Sequence, residues 1–450
     1  MDIRNKRIVV VGLGRSGFDA AILAHKHGAI AAVTDSCSEE KITQDIDVLK
    51  ENFIEVEFGQ HTEEFLSGTD IIVLSPGVDN NSLPVKYAFA NSIPIISEIE
   101  FAYNFCKGKI IAVTGTNGKS TVVTLLGKMF EKDSKKYIVC GNIGNSFSGE
   151  IDNIDDDTFV ILEISSFQLE KIVDLKVNIG CILNVTDDHL ERYTSFDDYA
   201  DTKARLFENQ IESDIALINH DDKASKDLII PGRGKKFFYS VTEEVEGAFV
   251  LNNVMYSKID DDVKKLFDIP KTKLKGKYNL ENICASSFMA ISAGVNIEAV
   301  ISAIEDFQPL AHRLEKFYEK DGIVFMDDSK ATNVDATKRA IQSLDKKIIL
   351  IAGGRDKGGD YLSVLPEIKE KVYKIILIGE AADKIFDVMD KKNVPVEKAG
   401  SMEDAIDRAI KIAQKDQVIL LSPMCSSFDM FTSYKHRGEV FQRIVKERFS

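Results

Sequence analysis

Residues 109–121 read KIIAVTGTNGKST, an apolar run followed by a glycine-rich loop that ends in Lys, Ser and Thr. The run predicts a buried strand, and the loop predicts backbone N–H groups that cradle phosphates. In such loops the lysine, here Lys119, reaches the terminal phosphates, and a hydroxyl, here of Ser120 or Thr121, meets Mg²⁺. The general pattern has a glycine where this chain has Val113, which indicates a particular subclass of the motif.

Similar apolar runs alternate with helical periodicity along most of the chain. This alternation predicts an α/β fold with largely parallel sheets. The predicted strands cover residues 7–11, 70–74, 109–114, 159–162, 180–183, 323–326, 348–352 and 418–421. Each run ends in glycines or polar residues, and ligands bind at the C-terminal ends of strands in open α/β sheets. The pattern therefore predicts one composite site that is built from several strand ends.

The length of 450 residues predicts about three domains, at roughly 150 residues each. Breaks in the pattern fall at 105–108 and near 308–310. The predicted domains are 1–106, 107–309 and 310–450. Within the second domain the strand and helix rhythm is lost between 221 and 275, where Lys236–Ser240 and Ala248–Lys258 predict short antiparallel strands of an accessory sheet.

The composition excludes several classes of protein. Hydrophobic residues make up 44% and charged residues 29%, and no apolar run approaches the ~18 residues of a membrane helix. The net charge of −15 argues against nucleic acid or an anionic membrane as the main partner. The six cysteines are scattered without a CxxC pair, which predicts single buried thiols in a reducing, cytoplasmic compartment.

A second nucleotide motif lies near the N-terminus, where Gly12, Gly14 and Gly17 follow the first strand and Asp35 ends the next one. Glycines at this spacing admit a pyrophosphate to a helix N-terminus, and the acid binds a ribose. NAD, a nucleotide-sugar or a tight turn all fit the motif. The domain is too short for the two mononucleotide halves that NAD needs, which favours another diphosphate.

Further polar residues follow the central strands. Glu163 ends a buried strand, where a carboxylate is costly unless it binds a cation or a donor, and Mg²⁺ opposite the phosphate loop is the simplest partner. His189, after the next strand, is a second candidate near the metal. Lys203 lies in the helical run Phe196–Phe207, and the residues alone favour a solvated helix lysine there.

The last third of the chain carries three polar strand ends. Residues 327–333 read DDSKATN and open a helix, with Asn333 as a plausible N-cap. Residues 353–359, GGRDKGG, would suit a small anion such as a carboxylate. Residues 422–429, SPMCSSFD, offer hydroxyls at the same edge. A tight turn remains the alternative for the last two.

Taken in order along the whole chain, these motifs resemble those of the Mur ligase family, and most specifically of its members that add D-glutamate. GTNGKST is shared by all Mur ligases and by folylpolyglutamate synthases. The more specific segments are GLGRSG at 12–17, EISSFQLE at 163–170, NVTDDHLERY at 184–193, DSKATN at 328–333 and LSPMCSSFDMF at 421–431. Tyr278 departs from the resemblance, since the family often has His there, as does Tyr434, where Phe is expected.

The resemblance implies a Rossmann-like N-terminal domain for a UDP-sugar, a central P-loop ATPase domain, and a Rossmann-like C-terminal domain that binds D-glutamate and completes the ATP site. It implies ATP-dependent ligation of D-glutamate to UDP-N-acetylmuramoyl-L-alanine through an acyl phosphate, with two Mg²⁺ ions and a carbamate on Lys203. The implied catalytic residues are Lys119, His189 and Lys203. The implied metal ligands are Ser120, Glu163, His189 and Lys203.

The remaining implied contacts fall into three groups. The ATP positions are Gly115, Thr116, Asn117, Gly118, Lys119, Ser120, Thr121, Asn279, Asn282, Arg313 and Asp328. The UDP-sugar positions are Gly14, Arg15, Ser16, Asp35, Ser36, Ser75, Gly77 and Asn142. The D-glutamate positions are Thr332, Lys357, Ser427 and Phe428.

Other functions remain open at this point. The chain could be another ligase of the Mur and folylpolyglutamate synthase superfamily, or a non-catalytic, nucleotide-gated binding protein on the same fold. An NAD-dependent dehydrogenase is a more distant alternative. We expect a cytoplasmic monomer that does not insert into membranes or bind nucleic acid.

Overall fold

A computed structural model of the chain describes residues 1–188 and 192–450. The described chain forms two compact units, each discontinuous in sequence. The first unit comprises 1–184, 200–270 and 282–304. The second comprises 185–199, 271–281 and 305–450. Three β-sheets with flanking helices build these units, which confirms the predicted three-domain α/β fold with mostly parallel strands.

The first sheet has five parallel strands in the order β3-β2-β1-β4-β5. Its elements are β1 (Arg7–Val11), α1 (Arg15–Lys26), β2 (Ile30–Asp35), α2 (Ile46–Glu51), β3 (Glu55–Phe58), α3 (Glu63–Leu66), β4 (Ile71–Leu74), α4 (Leu83–Ala90), β5 (Ile95–Ser97) and α5 (Glu98–Tyr103). Apolar residues of β1 and β4, including Val9 and Ile72, are fully buried. Between β1 and α1, a Cβ on Gly17 would lie 1.9 Å from the Gly12 carbonyl oxygen, so only glycine permits this close approach of helix and strand.

The second sheet has nine strands in the order β14-β13-β12-β11-β10-β9-β6-β8-β7. Its strands are β6 (Lys109–Thr114), β7 (Tyr137–Gly141), β8 (Phe159–Glu163), β9 (Ile179–Ile182), β10 (Ile215–Asn219), β11 (Lys235–Ser240), β12 (Gly247–Leu251), β13 (Val254–Ile259) and β14 (Asp262–Asp268). Its helices are α6 (Lys119–Lys132), α7 (Phe147–Glu150), α8 (Ser166–Leu169), α9 (Phe196–Ala204), α10 (Lys223–Lys226), α11 (Lys277–Ser292) and α12 (Ile297–Asp306). The central strand β6 lies between β8 and β9, so its end is flanked by two further strand ends.

The accessory strands differ from the prediction in detail. Residues 248–258 form two antiparallel strands, β12 and β13, because Asn252 and Asn253 both adopt left-handed backbone angles and reverse the chain. Strand β11 pairs in parallel with both β10 and β12, so these strands extend the nine-stranded sheet.

The first and second sheets are joined by a buried carboxylate of α5. Glu100 is 2% exposed and accepts three backbone N–H groups, from Val173 at 3.0 Å, Asp174 at 2.9 Å and Leu175 at 3.0 Å. Hydrogen bonds to a charged acceptor are stronger than neutral ones. This contact stabilises the packing of the N-terminal sheet against the loop that precedes β9.

The third sheet has six strands in the order β15-β16-β20-β17-β18-β19, with only β15 antiparallel. Its strands are β15 (Glu315–Lys320), β16 (Ile323–Asp327), β17 (Ile348–Gly353), β18 (Val372–Ile378), β19 (Val396–Lys398) and β20 (Val418–Leu421). Its helices are α13 (Val334–Gln342), α14 (Leu365–Lys371), α15 (Ala382–Asp390), α16 (Met402–Ile412) and α17 (Tyr434–Arg448). Buried apolar clusters cover both faces. Strand β20 pairs in parallel with β16 and with β17, so the ends of these three strands lie side by side at one edge.

The cysteines agree with the prediction of buried thiols at four of six positions, since Cys106 is only partly buried and Cys37 is exposed. All six are free thiols, but Cys37 is exposed because it lies in the loop after β2. Among the helices in the described ranges, none combines the length and the hydropathy of a membrane span.

Candidate active site

A cavity of about 660 Å³ opens at the C-terminal edge of the first sheet. It brings together seven of the eight residues predicted to bind a UDP-sugar, namely Gly14, Arg15, Ser16, Asp35, Ser36, Ser75 and Gly77. The eighth, Asn142, does not line this cavity. His61, Asp79 and Asn81 also line it and were not predicted, because they follow strands in loops without a recognisable motif.

The polar groups of this cavity are held in place by the backbone. The carboxylate of Asp35 accepts the N–H groups of Leu13 at 2.5 Å and Cys37 at 2.7 Å. The Ser75 hydroxyl donates to the Gly12 carbonyl at 2.9 Å. Burial lowers the pKa of His61, which favours its neutral form. A neutral imidazole can both donate and accept, so His61 can bind a polar heterocycle.

The glycine-rich loop follows β6 and leads into α6. Gly115 and Gly118 both adopt positive φ angles, at 145° and 91°, which favour glycine. The Lys119 ammonium donates to the carbonyl oxygens of Gly115 at 2.6 Å and Thr116 at 3.0 Å. Ser120 and Thr121 are buried in the first turn of α6, and the N-terminus of a helix suits an anion.

Two asparagines contact this loop. The side chain of Asn184, at the end of β9, accepts the N–H of Asn117 at 2.8 Å and donates to its carbonyl at 3.0 Å. The predicted ATP residue Asn282 lies beside the loop, since a Cβ on Gly118 would lie 2.8 Å from its Oδ1. Asn184 was not predicted, although its place directly after a strand next to β6 was the available signal.

Glu163 ends β8 in register with Val113 of β6, so its carboxylate lies at the same sheet edge as the loop. The residue is 2% exposed. One carboxylate oxygen accepts the Asn142 amide at 2.8 Å, and the other is buried without a hydrogen-bond partner among the described residues. An orphaned buried carboxylate oxygen suits a hard cation such as Mg²⁺, so the residues fit that metal.

The prediction of a solvated lysine at position 203, made from the residues alone, is wrong. Lys203 lies in α9 and is 1% exposed, so it is not a solvated helix lysine. Burying an ammonium group costs free energy. A buried lysine therefore loses its charge more readily than an exposed one and can then act as a nucleophile. His189 lies outside the described residues.

In the second unit, two adjacent carboxylates end β16. Asp327 accepts hydrogen bonds from a ring nitrogen of His312 at 2.6 Å and from the Gln442 amide at 2.9 Å. Asp328 accepts the Ser422 hydroxyl at 2.8 Å and the Leu314 N–H at 3.1 Å. Burial raises the pKa of Asp328 to about 7.

These carboxylates anchor the segment that carries Arg313. Its neighbours His312 and Leu314 have left-handed backbone angles, with φ of 60° and 46°. Each neighbour is held by one of the two aspartates, so the strained segment is fixed on both sides of Arg313. Asn279 donates to the carbonyl of Lys275 within the same unit.

Thr332 and Lys357 line one small cavity, together with Asp188 and the glycines that follow Lys357. The Lys357 ammonium lies 3.6 Å from the Asp188 carboxylate. Asn333 caps α13 as predicted, and its amide donates to Asp188 at 3.0 Å. Ser427 is buried and Phe428 is 64% exposed, and neither lines this cavity.

A mostly parallel sheet that carries a glycine-rich phosphate loop and a buried carboxylate on the adjacent strand defines a P-loop nucleotide-binding α/β protein. Three family descriptions match in order: the MurD-like N-terminal domain of Mur ligases at 6–97, the Mur ligase middle domain at 113–290 and the Mur ligase glutamate ligase domain at 312–425. The chain belongs to the Mur ligase family.

Curated relatives match over the full length. A UDP-N-acetylmuramoylalanine–D-glutamate ligase of Thermoanaerobacter sp. is 39% identical, with 99% of each chain covered. The protein of that name from Koribacter versatilis is also 39% identical, over 99% of this chain and 98% of its own.

Solved structures share the fold. A pseudomurein peptide ligase type C from Methanothermus fervidus has a TM-score of 0.61 at 18% identity, covering 99% of this chain and 100% of its own. The UDP-N-acetylmuramate–alanine ligase of Thermotoga maritima has a TM-score of 0.61 at 17% identity, covering 98% and 99%.

Proposed function

We propose that this chain ligates D-glutamate to UDP-N-acetylmuramoyl-L-alanine in an ATP-dependent reaction of cytoplasmic peptidoglycan precursor synthesis, and that it acts as a monomer. One observation carries the ATP-dependent chemistry. The phosphate loop and the orphaned Glu163 oxygen lie at adjacent strand ends of one sheet. The names of the full-length relatives support the two substrates.

The reaction needs ATP because a carboxylate does not react with an amine at neutral pH. The L-alanine carboxylate attacks the γ-phosphorus, and the bond to ADP breaks to leave an acyl phosphate. The D-glutamate amine then attacks the acyl carbon, phosphate leaves and the nitrogen loses a proton. The first step brings an anion against an anion, so catalysis rests on positioning and on neutralising charge.

The proposed ATP contacts are the loop from Gly115 to Thr121, with Asn279, Asn282, Arg313 and Asp328. Lys119 is suited to the terminal phosphates, because its ammonium already binds oxygen atoms of the loop and can exchange them for phosphate oxygens. Bound Mg²⁺ would neutralise phosphate charge, held by Ser120, Glu163, His189 and Lys203.

We assign Lys203 as a carbamate in the active protein. The uncharged amine attacks CO₂, a carbon–nitrogen bond forms and the nitrogen loses a proton, so a cation becomes an anion. The burial of the side chain supports this assignment, because a buried ammonium group is costly and a carbamate bound to a metal cation is a paired charge.

The substrates are assigned to two separate sets of residues. The cavity of about 660 Å³ in the first unit has room for a nucleotide-sugar, with Asn142 as a further proposed contact. D-glutamate is assigned to Thr332, Lys357, Ser427 and Phe428. Lys357 supplies the positive charge that a second carboxylate on the amino acid requires.

ADP release tests this function directly. The reaction mixture contains ATP, Mg²⁺, UDP-N-acetylmuramoyl-L-alanine and D-glutamate, and each is omitted in turn. We expect release only with all four, and little or none when L-glutamate or meso-diaminopimelate replaces D-glutamate. Equal turnover of a folate substrate would instead indicate a folylpolyglutamate synthase, and nucleotide binding without turnover would indicate a binding protein.

A further inference from the structure

Arg437 is one of the largest fully buried side chains of the chain, with 1% exposure, and it lies in the first turns of α17. Its guanidinium group donates four hydrogen bonds to oxygen atoms. Nε binds the Ser329 hydroxyl at 2.9 Å and Nη2 binds the Ser329 carbonyl at 2.8 Å. Nη1 binds the carbonyls of Cys425 at 3.1 Å and Ser426 at 3.2 Å.

All four of these acceptors are neutral, so no hydrogen-bonded anion offsets the free-energy cost of burying the charge. Burial lowers the pKa of Arg437 to about 10, so the group is still charged at neutral pH. A residue that only filled space in this helix would be apolar. The cost therefore points to a role for the directional hydrogen bonds themselves.

These hydrogen bonds join loops that follow different strands. Ser329 belongs to the loop after β16, whereas Cys425 and Ser426 belong to the loop after β20. Ser426 also pairs with Arg355 in the loop after β17, through backbone hydrogen bonds of 2.9 and 3.1 Å. One guanidinium group thus holds two of the three loops directly and the third through Ser426.

The same three loops carry all four residues assigned to D-glutamate, with Phe428 next to Ser427. Thr332 lies in the first loop, Lys357 in the second and Ser427 in the third. We propose that Arg437 is a positioning residue that holds these loops in one arrangement and thereby determines the affinity for D-glutamate without touching it. This inference rests on the proposed function for the identity of the ligand, but the loop contacts stand independently of it.

Two neighbours show that the packing around this group is tight. The Ser329 hydroxyl donates to the Tyr434 carbonyl at 2.8 Å, which ties the first loop back to the start of α17. A Cβ on Gly354 would lie 2.2 Å from the Ser426 carbonyl oxygen and 3.1 Å from Nη1 of Arg437. Arginine is required because its planar fork donates in several fixed directions, whereas lysine has a single nitrogen.

The first test compares Arg437→Lys and Arg437→Ala with Arg443→Ala, which removes an exposed arginine of the same helix that pairs only with Glu447 in the described chain. Steady-state constants are measured for D-glutamate, ATP and the nucleotide-sugar. We expect both Arg437 variants to raise KM for D-glutamate about ten- to a hundredfold. The constant for the nucleotide-sugar and all constants of the control should stay unchanged. Millimolar guanidinium should partly restore Arg437→Ala and not the control.

The second test does not depend on activity. Hydrogen–deuterium exchange of Arg437→Lys should increase in 328–333, 354–360 and 422–431 and stay unchanged in the phosphate loop at 115–121. Unchanged exchange in the three loops, or a uniform rise in KM for all substrates, would overturn the inference. If the wild-type chain released no ADP with D-glutamate, the proposed function would be wrong. The hydrogen–deuterium exchange experiment would still test whether Arg437 holds the three loops.

Discussion

The side-chain amide of Asn184 hydrogen-bonds to both the N–H and the carbonyl of Asn117, at 2.8 and 3.0 Å. The backbone carbonyl of Asn184 also accepts the N–H of Thr116 at 2.9 Å. One residue that follows β9 therefore fixes three successive peptide groups of the phosphate loop. Asn184 thereby holds this part of the phosphate loop in one backbone conformation.

Asn184→Asp should weaken ATP binding. The carboxylate keeps the bond to the Asn117 N–H but turns an oxygen toward the Asn117 carbonyl, and an unsatisfied buried group of this kind costs about 1–3 kcal/mol. We expect KM for ATP to rise about five- to a hundredfold, with KM for the nucleotide-sugar unchanged. Asn178→Asp, at the opposite end of β9, controls for general destabilisation of the sheet. An equal effect of both variants on ATP would contradict the role of Asn184.

Glu163→Gln should raise the requirement for Mg²⁺. The amide can keep the hydrogen bond from Asn142 while it removes the negative charge of the orphaned oxygen. We expect the Mg²⁺ concentration for half-maximal rate to rise about tenfold or more. Glu150→Gln is the matched control, because both oxygens of Glu150 already accept asparagine amides. A normal Mg²⁺ titration of Glu163→Gln would remove Glu163 from the metal site.

The sequence predicted those parts of the fold and site that depend on local patterns. The phosphate loop, Glu163 at a strand end and Asn333 as an N-cap each follow from a few neighbouring residues. The cavity of the first sheet followed from glycine spacing and one acidic strand end.

What the sequence could not predict depends on contacts between distant segments. Asn184 reaches the phosphate loop only because β9 lies next to β6 in the sheet. Arg437 is one of several basic residues in α17, and its acceptor Ser329 lies 108 positions earlier in the chain. The burial of Lys203 likewise arises from packing around α9, which helical periodicity did not reveal.

Lys203→Ala should be nearly inactive and partly rescued by short carboxylic acids, which replace the anion of the carbamate. A direct readout is the ¹³C signal of a carbamate in protein equilibrated with ¹³C-bicarbonate, which should disappear in the variant. Lys223→Ala, an exposed lysine of α10, should leave both the signal and the activity unchanged. A fully active wild-type enzyme without the carbamate signal would refute the assignment.

Lys357→Ala should act on D-glutamate alone. Charge-assisted hydrogen bonds contribute about 1.5–3 kcal/mol, which corresponds to a ten- to hundredfold or somewhat larger rise in the apparent constant for D-glutamate. Lys384→Ala is a suitable control, because this lysine pairs with Asp356 beside the same loop. If the constants for ATP and the nucleotide-sugar rose together with that for D-glutamate, Lys357 would act on phosphate handling and not on amino-acid binding.

Asp328→Asn should change how stability depends on pH. The pKa of Asp328 is raised from 3.8 to about 7, mainly by burial, so between these values the folded chain holds a proton that the unfolded chain releases. The contribution of this carboxyl to the free energy of unfolding is therefore complete below about pH 4 and is lost as the pH rises through about 7. Asparagine keeps an oxygen for the Leu314 N–H and does not titrate.

The melting temperature of Asp328→Asn relative to wild type should accordingly increase between pH 5 and pH 8. Glu98→Gln provides a comparison in the first unit, because burial also raises the pKa of Glu98 to about 7. Both variants should show the same sign of pH dependence, but only Asp328→Asn should raise KM for ATP, since Asp328 alone is assigned to the nucleotide. A difference in melting temperature that stayed constant from pH 5 to pH 8 would show that Asp328 is already ionised at pH 5 in the folded chain.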